Sequence, residues 1–246
     1  MRFEWEPGSE IPSIHETSPE SPLEDQAMQG EMDEFWGYAS EQQDETIRIA
    51  EGEFNEQGRY IPGRIEGIDA EAAEFDPELR ELSEALETWF PQSESMSCVV
   101  SVETMVLNQL ENGDRTEREM LETSREKGWY NEGTCPEDVG KIAEYYGMDV
   151  EQHHGVAASE LTLANNPEVK VMANVDSTLL QYPDAYKRCQ PDHCVQVLRV
   201  ERTAEGEMVI LNDPGHAEGR GAVYPMEIFE KAYKGDITTV REAETA

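Results

Sequence analysis

One thiol, one imidazole and two candidate partners for that imidazole are spaced so that they could act together. Cys98 follows Ser97, a good N-cap residue, at the start of a helical pattern. Unpaired N–H groups and the helix dipole at such a position stabilise a thiolate. Beside a protonated His as well, a thiol with an ordinary pKa near 8.5 can fall to roughly 3.5–7.5. Taken alone, Cys98 reads equally as a small buried hydrophobe, the usual fate of a free Cys. His193 opens a strand after Pro191-Asp192, and Asn212-Asp213-Pro214-Gly215 follows one hairpin later. A hairpin of that length returns the chain beside its starting strand, which can bring Asn212 or Asp213 close to His193. An amide or carboxylate there would orient the ring and fix its tautomer. Gln92, just upstream of Cys98, could donate its side-chain amide to an oxyanion near the Cys98 backbone N–H. Together these residue types do acyl transfer: thiolate attack, a stabilised oxyanion, and a proton passed to the leaving group.

The elements that must hold these residues fall in a definite order. Val99, Val102, Val106 and Leu110 form one stripe at helical spacing over 97–110, stopped by Asn112-Gly113-Asp114. A second helix is expected from Thr116 to Lys127, ended by Gly128. A third is expected over 136–146, with Thr134 as cap and Pro136 in its first turn. Strand alternation then takes over at 169–175 and 194–200, with a turn at 204–207 and a partner strand at 208–211. A short extended piece at 222–224, a helix at 225–233 closed by Gly235, and a strand at 237–240 complete the pattern. Helices first and antiparallel strands after describe an α+β domain over 89–246.

Residues 1–88 have another texture, with 25 acids, five arginines and no lysine, a net of −20. The opening Pro-, Ser- and Glu-rich stretch through Pro22 is expected to be disordered. An acidic helix is expected within 24–56, with Met28, Met32, Phe35 and Trp36 on its apolar side. Residues 60–68 read as loop or short extended chain. Residues 77–90 read as a helix with Leu79, Leu82, Leu86 and Trp89 on one face. The first 88 residues thus stand as an acidic, partly disordered N-terminal region with one or two helices.

Whole-chain composition excludes several classes. The 246 residues carry 54 acids against 19 bases, a formal net charge of −35. Nucleic acid is a poor partner for so negative a surface. No apolar run approaches a membrane span, and the N-terminus lacks a secretory layout, so a cytoplasmic protein is expected. Acid spread along the whole chain, with only six lysines, suggests adaptation to very high salt. Four cysteines are too few for a disulfide scaffold. Cys189, His193 and Cys194 match no standard zinc spacing, and neither metal nor organic cofactor is implied. His153-His154 reads as solvated. His216 and Arg220 read first as loop-stabilising and second as rims of a cleft. Trp129 and Tyr130 read as core or cleft wall, and Asp176-Ser177 as a turn.

The residues in order carry a resemblance. Trp89-Phe90-Pro91-Gln92 leads to Ser97-Cys98-Val99-Val100-Ser101 and Met105-Val106-Leu107. Gly128-Trp129-Tyr130, Gly133-Thr134-Cys135-Pro136, Val175-Asp176-Ser177 and Asp192-His193 follow. Leu211-Asn212-Asp213-Pro214-Gly215, Gly219-Arg220-Gly221 and Tyr224-Pro225-Met226 close it. Over about 89–240 this set resembles the papain-like cysteine peptidases, nearest to their bacteriocin-processing (double-glycine leader) branch; the acidity suggests a haloarchaeal member. The resemblance implies a papain-like fold, with the Cys-bearing helix packed on an antiparallel sheet. It implies Cys98 as nucleophile, His193 as general base and acid, Asp213 as orienter with Asn212 as its rival, and Gln92 in the oxyanion hole. It implies a peptide or protein substrate cleaved through a thioester. Val99, where many relatives carry Gly, would narrow the cleft. Cys194, where Ala is common, puts a second sulfur beside the base. The competing expectations are a catalytically silent binding module on the same fold, and an interaction protein acting through its acidic N-terminal arm.

Overall fold

A computed structural model describes residues 46–243. The Pro-rich opening and most of the acidic helix expected within 24–56, including Met28, Met32, Phe35 and Trp36, lie outside those residues. Where that helix would end, the chain is extended instead: β1 (Ile47–Ala50) and β2 (Glu53–Phe54). β3 (Tyr60–Ile61) and β4 (Gly63–Ile68) follow, then α1 (Ala70–Phe75) and α2 (Pro77–Glu87). Ile47 and Ile49 pair across to Ile68 and Ile65. The alternating isoleucines therefore meet as a ladder, which overrides the helical reading.

The remaining elements are α3 (Cys98–Glu111), α4 (Glu117–Lys127), α5 (Lys141–Tyr145), β5 (Met148–His153), β6 (Lys170–Val175), α6 (Ser177–Gln181), β7 (His193–Thr203), β8 (Gly206–Asn212), β9 (Ala222–Pro225), α7 (Met226–Ala232) and β10 (Tyr233–Glu242). Eight strands form one sheet in the order β1-β4-β9-β8-β7-β6-β10-β5, and each pairing within it is antiparallel. The chain builds an α+β fold.

Alternation along β6 and β7 divides the core. Val171, Ala173, Val195 and Val197 pack with Ile228 and Phe229 of α7. Met172 and Cys194 turn the other way, onto Val99, Val102 and Val106 of α3. Each such buried side chain stabilises by about 1.5–3 kcal/mol against exposure. Polar contacts fix the crossing of α3 on β7: the Gln109 and Gln196 side-chain amides bond each other in both directions, at 3.0 and 2.6 Å. A third cluster joins Leu79 and Leu82 of α2 to Ile47, Ile210 and Val223. Residues 47–88 therefore pack into the same sheet and core as the chain after residue 89, with no break near 88. Trp89 stands beyond the end of α2, past its cap Thr88, and does not extend the leucine face.

The helix expected over 136–146 is broken. Pro136–Asp138 is a 3-10 turn with Cys135, not Thr134, at its N-cap position, and α5 starts only after Gly140, which has φ +91°. The cause lies in α3. Glu103 is fully buried there, and its two carboxylate oxygens accept the N–H groups of Gly140 (3.0 Å) and Ala143 (2.9 Å). A carboxylate from a neighbouring helix thus caps α5 and fixes where it begins. Among the described residues, no helix is long and apolar enough to cross a membrane.

Candidate active site

α3 begins at Cys98 because the loop before it is pinned. Glu117, at the first turn of α4, is buried. One of its oxygens accepts the hydroxyls of Ser97 (2.6 Å) and Ser101 (2.7 Å), and the other accepts the Ser93 N–H at 2.9 Å. Ser97 therefore precedes the helix without capping it by its side chain; its hydroxyl serves Glu117 instead. Glu94 anchors the same loop from outside, through a two-oxygen contact with Arg125 (2.6 and 2.7 Å) and the Tyr130 hydroxyl (2.9 Å). Cys98 stands at the first helical position, nearly buried, beside His193.

His193 opens β7, where it pairs with Val175. Its Nε2 lies 2.6 Å from Asp213 Oδ1, which leaves Nδ1 as the ring nitrogen for the thiol. Asp213 follows the end of β8. It also accepts the Gly215 N–H (2.8 Å), while its carbonyl accepts the Trp89 indole N–H (3.0 Å). Asn212 is turned away: it donates to Ala85 O (2.8 Å) and accepts from Gly221 N–H (3.2 Å), tying α2 to the sheet. Of the two candidate orienters, only Asp213 touches the imidazole. Gly215 covers the pair so closely that a Cβ there would lie 2.7 Å from His193 Cε1.

These contacts set the charges. Burial alone would push the Cys98 thiol up. The hydrogen bond and charge of His193, with the Cys194 and Val99 backbone N–H groups, outweigh it and hold the thiol below its ordinary value. Burial would push His193 down, but Asp213 first and Cys98 second raise it to about 10. Burial likewise raises Asp213, yet His193 and the Gly215 N–H keep its carboxyl below the usual range. The arrangement favours thiolate, imidazolium and carboxylate in a row.

Gln92 reaches the same place. Its backbone N–H donates to Pro214 O (2.8 Å), and its side-chain amide donates to Glu94 O (2.8 Å). Two cavities meet at His193. One, of 570 Å³, is lined by Cys98, Val99, Pro136, Cys194 and Ile237. The other, of 300 Å³, is lined by Gln92, Ser177, Gly215, His216 and Tyr224. Val99 lines the first beside the nucleophile. The Cys194 side chain is buried in the core on α3, and its thiol is pushed well up. The Cys189 thiol instead meets Ala232 O. Asp176 is a buried N-cap of α6, paired with Lys187, and His154 pairs with Asp236 at the surface.

The sequence alone assigned Glu117, Trp89 and Gly215 no role at the site, although Trp89 and Gly215 stand in its motifs. Only Gly215 left a signal, a glycine two residues after the candidate orienter. The bracing by Glu117 joins two helices and has no local signature.

No family model matches the sequence, and no curated protein is similar to it. Solved structures do resemble the fold. One is a double glycine motif protease from an AMS/PCAT transporter, in complex with the leader peptide: TM-score 0.46, 16% identity, covering 63% of this chain and 91% of that one. Another is the peptidase domain of Streptococcus ComA, a bifunctional ABC transporter involved in a quorum-sensing pathway: TM-score 0.48, 15% identity, covering 63% of this chain and 98% of that one.

Proposed function

We propose that the chain is a papain-like cysteine peptidase that cleaves a peptide or related amide bond through a thioester on Cys98. The observation that carries this reading is His193 held at 2.6 Å by Asp213 while its ring faces the thiol at the start of α3. The Cys98 thiolate attacks the carbonyl carbon. The oxyanion forms near the Cys98 N–H and the Gln92 side-chain amide, which swings from Glu94 O to reach it. The His193 imidazolium gives its proton to the leaving amine, the C–N bond breaks and the thioester remains. Water, deprotonated by His193, then attacks the thioester, releasing the acid and restoring the thiolate. Asp213 fixes the ring and stabilises its charged form throughout.

The test is digestion of a defined peptide mixture, with new termini read by mass spectrometry, for wild type, Cys98→Ala and His193→Ala. New termini in wild type that fall about a thousandfold or more in both variants support the reading. An alkylatable Cys98 with no new termini would favour a silent binding module. Cleavage that persists in Cys98→Ala would refute the assignment of the nucleophile.

A further inference from the structure

The β2–β3 hairpin sets a cation against His216, a wall residue of the smaller cavity. Asn55 Oδ1 accepts the backbone N–H groups of Gln57 and Arg59, both at 3.0 Å, which fixes the turn. The next residue, Tyr60, is buried with its ring 5.7 Å from Tyr224, a wall of that cavity. So anchored, Arg59 places Nη2 3.2 Å from Nε2 of His216, another wall residue. Guanidinium can only donate, so His216 Nε2 accepts and its proton resides on Nδ1.

Arg59 is half-buried, yet no ion pair with a carboxylate forms there among the described residues, and its Nε is buried without a hydrogen-bond partner. Among the described residues this half-buried guanidinium has no carboxylate within ion-pair distance, which leaves its charge open to an anionic ligand. The acids of the cavity are engaged elsewhere: Asp213 holds His193, and Asp192 accepts the Ser177 N–H at 2.8 Å. The two cavities share His193 but differ in most of their other walls. Cys98 and Val99 line only the larger one, where the acyl segment stays attached. Gln92, Gly215 and His216 line only the smaller one, beyond the ring that protonates the leaving amine.

We infer that the smaller cavity holds the leaving segment of the substrate and recognises a carboxylate on it through Arg59 and His216. This rests on the peptidase reading above. The cavity's 300 Å³ has room for about one or two residues. The carboxylate is an Asp or Glu side chain just after the scissile bond, or the terminal carboxylate of the peptide.

The test uses the full chain and a peptide mixture in two forms, with free C-termini and with C-terminal amides. Cys98 alkylation in parallel checks that each variant is folded. Wild type should cleave before Asp or Glu about tenfold faster than before Asn or Gln, or release one or two terminal residues only from peptides with free C-termini. The first outcome assigns a side-chain carboxylate and the second a terminal one. Arg59→Gln should lower that preference about tenfold within the same digest, Arg59→Lys should retain most of it, and His216→Phe should weaken it. Cleavage with no acidic or terminal preference, or a preference that Arg59→Gln leaves intact, overturns the inference and leaves the peptidase reading standing. No cleavage at all overturns both.

Discussion

Cys98, His193 and Asp213 come together because three local features aim them: a helix start, a strand start and a hairpin that returns beside it. Those features are written in short stretches of sequence, so the trio was legible. The residues alone left the choice between Asn212 and Asp213 open, and only the resemblance favoured Asp213. Neighbouring residues at a strand end point in opposite directions, and which one meets the ring depends on register. That register carries a bulge between Val197 and Arg199 that no residue type announces. Gly215 belongs to the same scale. Without a Cβ it leaves room for the imidazole, and a methyl there would press on both His193 and Asp213. Gly215→Ala is expected to slow Cys98 alkylation about tenfold to a hundredfold at pH 7, with the circular dichroism spectrum unchanged. An unaltered rate would mean that the ring does not depend on this packing.

At the scale of elements, α3 does two things: its N-terminus carries the thiol and its buried middle organises α5. The valine stripe was readable, and so were α4, β7, β8 and α7. β5 was not, because Met148, Val150 and Gln152 alternate with charged residues on an edge strand. The broken helix at 136–146 was not, because the residue that breaks it, Glu103, lies far away in sequence. Burial raises the Glu103 carboxyl to about 7, against the pull of the Ala143, Gly140 and Ile142 N–H groups. The folded state thus holds this proton more tightly than the unfolded chain, whose carboxyl titrates near 4.5. Glu103's contribution to stability is therefore full below about pH 4.5 and is lost as pH rises through about 7, by about 3 kcal/mol in all. Melting temperatures of wild type and Glu103→Gln between pH 5 and 8 check this: the wild type should lose ground to the variant across that window. Parallel profiles would show that Glu103 is ionised throughout.

Over the whole molecule, charge dominates. A net of −35 repels itself across the surface, and the Debye length falls from about 10 Å at 0.1 M salt to about 3 Å at 1 M. The melting temperature should rise by at least about 5 °C between 0.1 and 2 M KCl and level off beyond; a flat or falling curve would contradict a self-repelling surface. Composition made this property plain. It concealed that residues 47–88, as rich in acids as the stretch before them, supply two strands and a helix to the common core. Burial of a few isoleucines and leucines decides that, and a charge count does not see it.

The site sets a thiol beside an imidazole that a carboxylate orients. The pH dependence of Cys98 alkylation by iodoacetamide, in wild type and His193→Ala, tests it most directly. Wild type should react with an apparent pKa well below the ordinary thiol value, as an ionised thiolate already present near neutral pH. His193→Ala should move that transition up to the ordinary range or above and slow the reaction at pH 7 by about tenfold or more. A wild-type transition at the ordinary value, unmoved by the substitution, would contradict that arrangement.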